Sequence, residues 1–167
     1  MNLHFFCSTP QNTSDLLARE IKEMDGQEVR EQTNGVGFAA PIETGYRLCL
    51  WSRIAGRVML QISRFDMASE DDLYEAVKSV EWTDHMDQDT TFAINSTVTQ
   101  SAPISRKFAA LRTKDAIADY FRETVGVRPS VDTSNPDISY AVHVRGEDAT
   151  LYLELSGESL HRRGYRR

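Results

Sequence analysis

A mixed α+β fold built as two successive α/β units is what this sequence predicts. Three observations carry it. Residues 3–65 alternate short apolar runs with amphipathic stretches in the order β-α-β-β-α-β, the order of a split β-α-β unit. An acidic stretch around residue 66 then separates them from a second, different set of elements. The length, 167 residues, suits one domain or two small ones at ~100–200 residues per domain.

Each element has a local reason. Residues 3–9 form a short apolar run. Asn12-Thr13-Ser14-Asp15 supplies capping residues ahead of a helical pattern with Leu16, Leu17, Ile21 and Met24 on one side, and Gly26 closes it. Strands at 28–32 and 36–40 flank Thr33-Asn34-Gly35, where Asn-Gly is a strong hairpin signal. Residues 42–54 have helical spacing through Ile42, Tyr46, Cys49 and Leu50, with Gly56 as the stop, and 57–65 reads as a strand. This order and length are those of a ferredoxin-like unit. In the second half, Ser69 caps a short helix through Val80 with Asp71 and Asp72 in its first turn. Residues 91–99 alternate as a strand, and 105–125 is the longest helical pattern, stopped by Gly126 with Pro129 beyond. Strands at 139–145 and 150–155 enclose the turn Gly146-Glu147-Asp148.

Composition excludes several classes. Apolar residues make up 40% and charged residues 26%, ordinary for a soluble globular protein and unlike a disordered tail. The richest apolar stretch, 48–60, is interrupted by Arg53 and Arg57 and falls short of the ~18–20 residues of a membrane span. The N-terminus lacks a basic region and a small-residue cleavage site, so no signal peptide is expected. Two cysteines, Cys7 and Cys49, make neither a disulfide framework nor a four-ligand zinc site and fit a reducing cytoplasm.

Charge is uneven along the chain. The net is −6, which argues against a generic nucleic-acid binder. Residues 64–91 carry −7, whereas 101–128 carry +3 through Arg106, Lys107, Arg112, Lys114, Arg122 and Arg128. The tail 156–167 also carries +3, with Arg162, Arg163, Arg166 and Arg167. Two basic islands therefore sit in an acidic chain. In the 105–125 helix, Lys107, Leu111, Lys114 and Ala118 lie on one stripe, and Arg112, Asp115, Asp119 and Arg122 form another that is expected to pair with itself. Arg106 and Lys107 oppose the macrodipole at the helix start, an unfavourable placement that a phosphate would relieve.

Catalytic chemistry finds no constellation. His4, His85, His143 and His161 lack metal-ligand spacing, and Cys7 and Cys49 read as small core residues. The carboxylates of 66–89 lack the pattern of a calcium loop, and no glycine-rich nucleotide loop is present. Asn135-Pro136-Asp137-Ile138 only partly resembles the Asn/Asp-Pro-Pro-aromatic stretch of amino-group methyltransferases, and reads as a turn. Trp51, beside Cys49 and Leu50, is expected to be buried as a domain-packing residue whose loss costs ~3–5 kcal/mol.

The residues do match a family. The block 50–60, beginning Leu50-Trp51-Ser52-Arg53, resembles the Trp-Ser-Arg helix-to-strand junction of the bacterial 23S rRNA guanine-N2 methyltransferases. Three further blocks agree in order: Lys114-Asp115-Ala116-Ile117-Ala118-Asp119; Val131-Asp132 with Pro136-Asp137-Ile138; and 153–166, ending Arg163-Gly164-Tyr165-Arg166. The resemblance implies an N-terminal ferredoxin-like domain at 1–64 and a THUMP RNA-binding domain at 65–156, whose boundary could start near 45. Residues 157–167 would then be a linker leading towards a methylase domain.

In that family Arg-Gly-Tyr-Arg leads into a Rossmann-like domain that binds S-adenosylmethionine. The chain stops one residue later, so the resemblance implies the RNA-binding portion of such an enzyme, without a catalytic site or cofactor of its own. Its partners would be structured 23S rRNA and the downstream methylase domain, in the cytoplasm, with neither membrane nor DNA. The RNA-binding residues expected are Arg106, Lys107, Arg112, Lys114, Arg128, Arg162, Arg163, Arg166 and Arg167. The alternative is a pair of ferredoxin-like units that bind a protein or a small ligand and have no RNA role.

Overall fold

The computed structural model describes residues 1–162. The backbone forms two units, one of residues 1–61 together with the chain from 154 onward, the other of residues 62–153.

Unit 1 follows the order β1 (Leu3–Ser8), α1 (Ser14–Glu23), β2 (Gln27–Gln32), β3 (Gly35–Ala40), α2 (Ile42–Trp51) and the first half of β4 (Arg57–Asp66). The strands lie β2-β3-β1-β4, all antiparallel, with Cys7 opposite Val36 on one side and Val58 on the other. This is the ferredoxin-like arrangement expected. Alternation along β1 sends Phe5 and Cys7 inward, where the Phe5 and Phe38 rings stack at 5.2 Å and Leu17, Ile21 and Leu48 close the core. Burial pushes the Cys7 thiol up, consistent with a core residue and not a nucleophile.

Three local readings change. Helix α1 ends at Glu23, and Asp25, not Gly26, takes the left-handed conformation (φ 67°). Gly26 is required by close approach instead, since a Cβ there would lie 2.3 Å from the Ile21 side chain. The hairpin forms, but neither Thr33 nor Asn34 has positive φ, so its turn is not of the primed type.

The third change concerns α2. Its buried residues are Thr44, Gly45 and Leu48, whereas Tyr46, Leu50 and Trp51 are 54%, 69% and 70% exposed. Trp51 is therefore not a packing residue. Closeness fixes the inward side: a Cβ at Gly45 would stand 2.7 Å from the Phe5 ring, and the helix meets the sheet through Thr44, Gly45 and Leu48, which leaves Tyr46, Leu50 and Trp51 outward.

Unit 2 begins with the second half of β4 and continues with α3 (Glu70–Lys78), a 3-10 turn (Trp82–Asp84), β5 (Phe92–Val98), α4 (Arg106–Thr124), β6 (Ile138–Arg145) and β7 (Asp148–Glu154). Strands β5 and β6 run parallel with α4 as their crossover, and β6 and β7 form an antiparallel hairpin turning at Gly146 (φ 59°). Ser69 and Asp72 make the reciprocal capping box of α3, and Gly126 (φ 82°) follows α4. The core gathers Leu73, Val77, Phe92, Ile117, Phe121, Tyr140 and Leu151 around Trp82. Trp82, which no sequence pattern singled out, is fully buried, donates from Nε1 to Val77 O at 2.8 Å and meets the Tyr140 ring edge-on at 5.1 Å.

Candidate nucleic-acid interface

Helix α4 carries the first basic island. Ser105 caps it by accepting from Phe108 N (3.3 Å), and Ser96 Oγ donates to Arg106 O (2.8 Å), tying the first turn to β5. The inner face of the helix is Ala109, Thr113, Ala116, Ile117 and Phe121. The first turn contains no acid, and Arg106 and Lys107 both point to solvent. Among the described residues neither makes an ion pair. Phe108 (49% exposed) and Leu111 (38%) stand beside them.

The other cations of the island are occupied. Arg112 Nη2 meets Asp71 Oδ1 at 2.7 Å, and its guanidinium lies 4.9 Å from the centre of the Tyr74 ring. Lys114 Nζ is 3.0 Å from Asp115 Oδ1, and Arg128 reaches the same oxygen at 4.0 Å. The stripe expected to pair with itself does so only in part. Arg122 pairs with Asp119 at 2.9 Å, but Arg112 leaves it for α3, and Tyr74 donates to Asp119 at 2.7 Å, which raises the tyrosine pKa.

The acidic stretch has structural employment. Asp72 accepts from Ala68 N and Ser69 N, and those hydrogen bonds hold its carboxyl below the usual range. Asp71 holds Arg112, and Glu81 accepts from Thr83 and Tyr120. Asp87, Asp89 and Asp137 line a shallow cleft of about 500 Å³ with Phe121 and Val125, a surface that repels phosphates.

The second island is described only through Arg162. It is exposed and ends a 3-10 turn tied to unit 1, where Leu160 N donates to Gly56 O at 2.7 Å. Arg163, Arg166 and Arg167 lie outside the described residues.

The segment that partly resembles a methyltransferase motif is a turn. Asn135-Pro136-Asp137 belongs to a loop closed on itself: Asp132 Oδ1 accepts from Ser134 N and Asn135 N, and Asp137 Oδ2 accepts from Thr91 N and Oγ1. Those contacts depress both carboxyls and make the segment a self-contained turn. Among the described residues there is no glycine-rich strand-loop-helix, no group of three or more His, Cys, Asp or Glu side chains placed to hold a metal ion, and no helix long and apolar enough to cross a membrane.

The chain is similar to known proteins over nearly its whole length. The chain is 46% identical over 163 residues to the ribosomal RNA large subunit methyltransferase K/L of Desulfotalea psychrophila, covering 97% of this chain and 23% of that protein. The corresponding protein of Syntrophotalea carbinolica is 44% identical, with 98% of this chain and 23% of its own length covered. The chain thus spans about a quarter of these relatives. The fold matches a possible methylase from Clostridium difficile 630 with a TM-score of 0.85 at 21% identity, over 100% of this chain and 45% of that one. The RlmL ferredoxin-like domain family matches residues 4–59 and the THUMP domain family matches residues 67–154. The chain belongs to the THUMP domain family, with an RlmL ferredoxin-like domain preceding the THUMP domain.

Proposed function

We propose that this chain is the RNA-binding portion of a cytoplasmic 23S rRNA guanine-N2 methyltransferase. It positions structured rRNA for an S-adenosylmethionine-dependent methylase domain and has no catalytic site of its own. Residues 157–167 lead towards that domain. The observation that carries the reading is the start of α4, where Arg106 and Lys107 are exposed, have no carboxylate in their turn and oppose the helix dipole. A phosphate placed there meets two cations and the positive end of the helix together. Recognition is by shape, through phosphates and 2′-hydroxyls, because A-form RNA hides its base edges in a narrow major groove.

Arg106 and Lys107 lead the proposed contacts. Lys114 and Arg128 share a single carboxylate and retain capacity for a phosphate. Arg112 contributes mainly field, being held by Asp71 and Tyr74. Arg162, Arg163, Arg166 and Arg167 supply the second cationic segment. The test is a salt titration of affinity for an rRNA hairpin with the wild-type chain and the Arg106→Gln/Lys107→Gln variant. If both residues neutralise phosphates, the log–log slope flattens by roughly 1.5 units. An unchanged slope removes α4 from the interface.

A further inference from the structure

The exposed face of α2 is unexplained by the fold and by the basic islands. Tyr46, Leu50 and Trp51 are all more than half exposed, while the core of unit 1 closes on Phe5, Leu17, Ile21, Phe38 and Leu48 without them. Large apolar side chains at such exposure mark a binding surface. Two guanidiniums flank it. Arg53, just past the helix end, has an 86% exposed side chain whose Nε lies 3.7 Å from Glu20 Oε1, and Arg47 is 50% exposed with a 3.5 Å contact to Asp25; Glu43 lies at the far, N-terminal end of the same helix.

Size decides among occupants. Three partly exposed side chains of this kind offer on the order of 400 Å², about half of the ~800 Å² per partner that a stable protein interface buries. A second copy of the chain is poorly served by so small a patch. One or two aromatic bases are a good match in area, and every base has a face that stacks on indole or phenol. The end of α2 carries partial negative charge and does not favour a phosphate directly upon it. The backbone of a stacked nucleotide is left to Arg53, beyond the helix.

We infer that the Tyr46–Leu50–Trp51 face of α2 is a stacking platform for unpaired bases of single-stranded RNA. This rests on the RNA-binding reading and deepens it: unit 1 holds unpaired nucleotides by their faces, and its recognition chemistry differs from phosphate binding at α4.

Intrinsic fluorescence tests it, because Trp82 is fully buried and Trp51 is the exposed indole. The probes are an unstructured eight-nucleotide RNA and a blunt RNA hairpin, titrated into wild type, Trp51→Ala and Trp51→Phe. The oligonucleotide should quench wild-type emission, bind Trp51→Ala about tenfold more weakly and bind Trp51→Phe nearly normally, while hairpin affinity and melting temperature stay unchanged in both variants. Equal oligonucleotide affinity for wild type and Trp51→Ala overturns the platform. So does self-association by light scattering that depends on Trp51. Wild type that binds the hairpin but not the oligonucleotide overturns the platform alone; wild type that binds neither overturns the RNA-binding reading as well.

Discussion

Arg112 of α4 is paired with Asp71 of α3 at 2.7 Å, across 41 residues of sequence, and its guanidinium covers the Tyr74 ring at 4.9 Å. A charge that looks equivalent to its neighbours in the sequence is thereby committed to joining two helices. The Asp71 side chain is 87% exposed, so the ion pair itself is weak, and the ring contact adds a comparable amount. Arg112→Ala should lower stability by about 1 kcal/mol in urea unfolding and reduce hairpin affinity far less than Arg106→Gln/Lys107→Gln does. A larger affinity loss from Arg112→Ala would reverse the order of contacts proposed for α4.

The turn after α2 hangs on one carboxylate. Glu20 of α1 is 5% exposed, accepts from Ser52 Oγ at 2.5 Å and from Arg53 N at 2.9 Å, and Ser52 Oγ in turn accepts from Ala55 N at 2.9 Å. Removing the acceptor strands two donors. Glu20→Ala should cost about 1–3 kcal/mol, read by denaturant unfolding. Trp51→Ala, one residue away from Ser52 but exposed, should cost well under the ~3–5 kcal/mol of a buried aromatic.

Stability should fall in mild acid. His143, on β6 with its ring 5.0 Å from that of Tyr152, is brought by burial down to about 4 from an ordinary value of 6.5. Between those values the unfolded chain binds the proton that the folded chain excludes. The contribution is whole above about pH 6.5, shrinks as pH drops and is gone below about 4, a span worth about 3 kcal/mol. Denaturant melts from pH 7 to 4 should show this slope, and His143→Gln should flatten it. Asp72, Asp132 and Asp137 act lower: their depressed carboxyls stabilise the fold above the ordinary carboxylate range, and the benefit is lost as pH falls through their folded values.

The tail is expected to act by charge. Replacing Arg162, Arg163, Arg166 and Arg167 by Gln should flatten the salt dependence of hairpin binding by roughly 2–3 units. The melting temperature should barely move, since exposed charges add little stability. An unchanged slope would leave the tail as a tether and the RNA surface on α4.

Features made by neighbours in sequence were legible in it. Ser69 and Asp72 of the capping box are three positions apart, the Gly126 stop comes two residues after its helix, and the β-α-β-β-α-β order is a succession of local periodicities. The likeness of the 50–60 and 153–166 blocks to an rRNA methyltransferase family was legible for the same reason. Tertiary structure alone decided which side of α2 is buried, because helical spacing through Ile42, Tyr46, Cys49 and Leu50 describes a stripe without saying what faces it. The Phe5 ring, from a strand that pairs elsewhere in the chain, leaves no room for a side chain at position 45; the helix turns Thr44, Gly45 and Leu48 inward, and Trp51 stays in solvent. It also decided which cations are free. Arg106 and Arg112 have the same charge and lie six positions apart, but only the second comes within reach of Asp71, and Coulomb energy depends on distance in space and on exposure to water, neither of which a residue number contains.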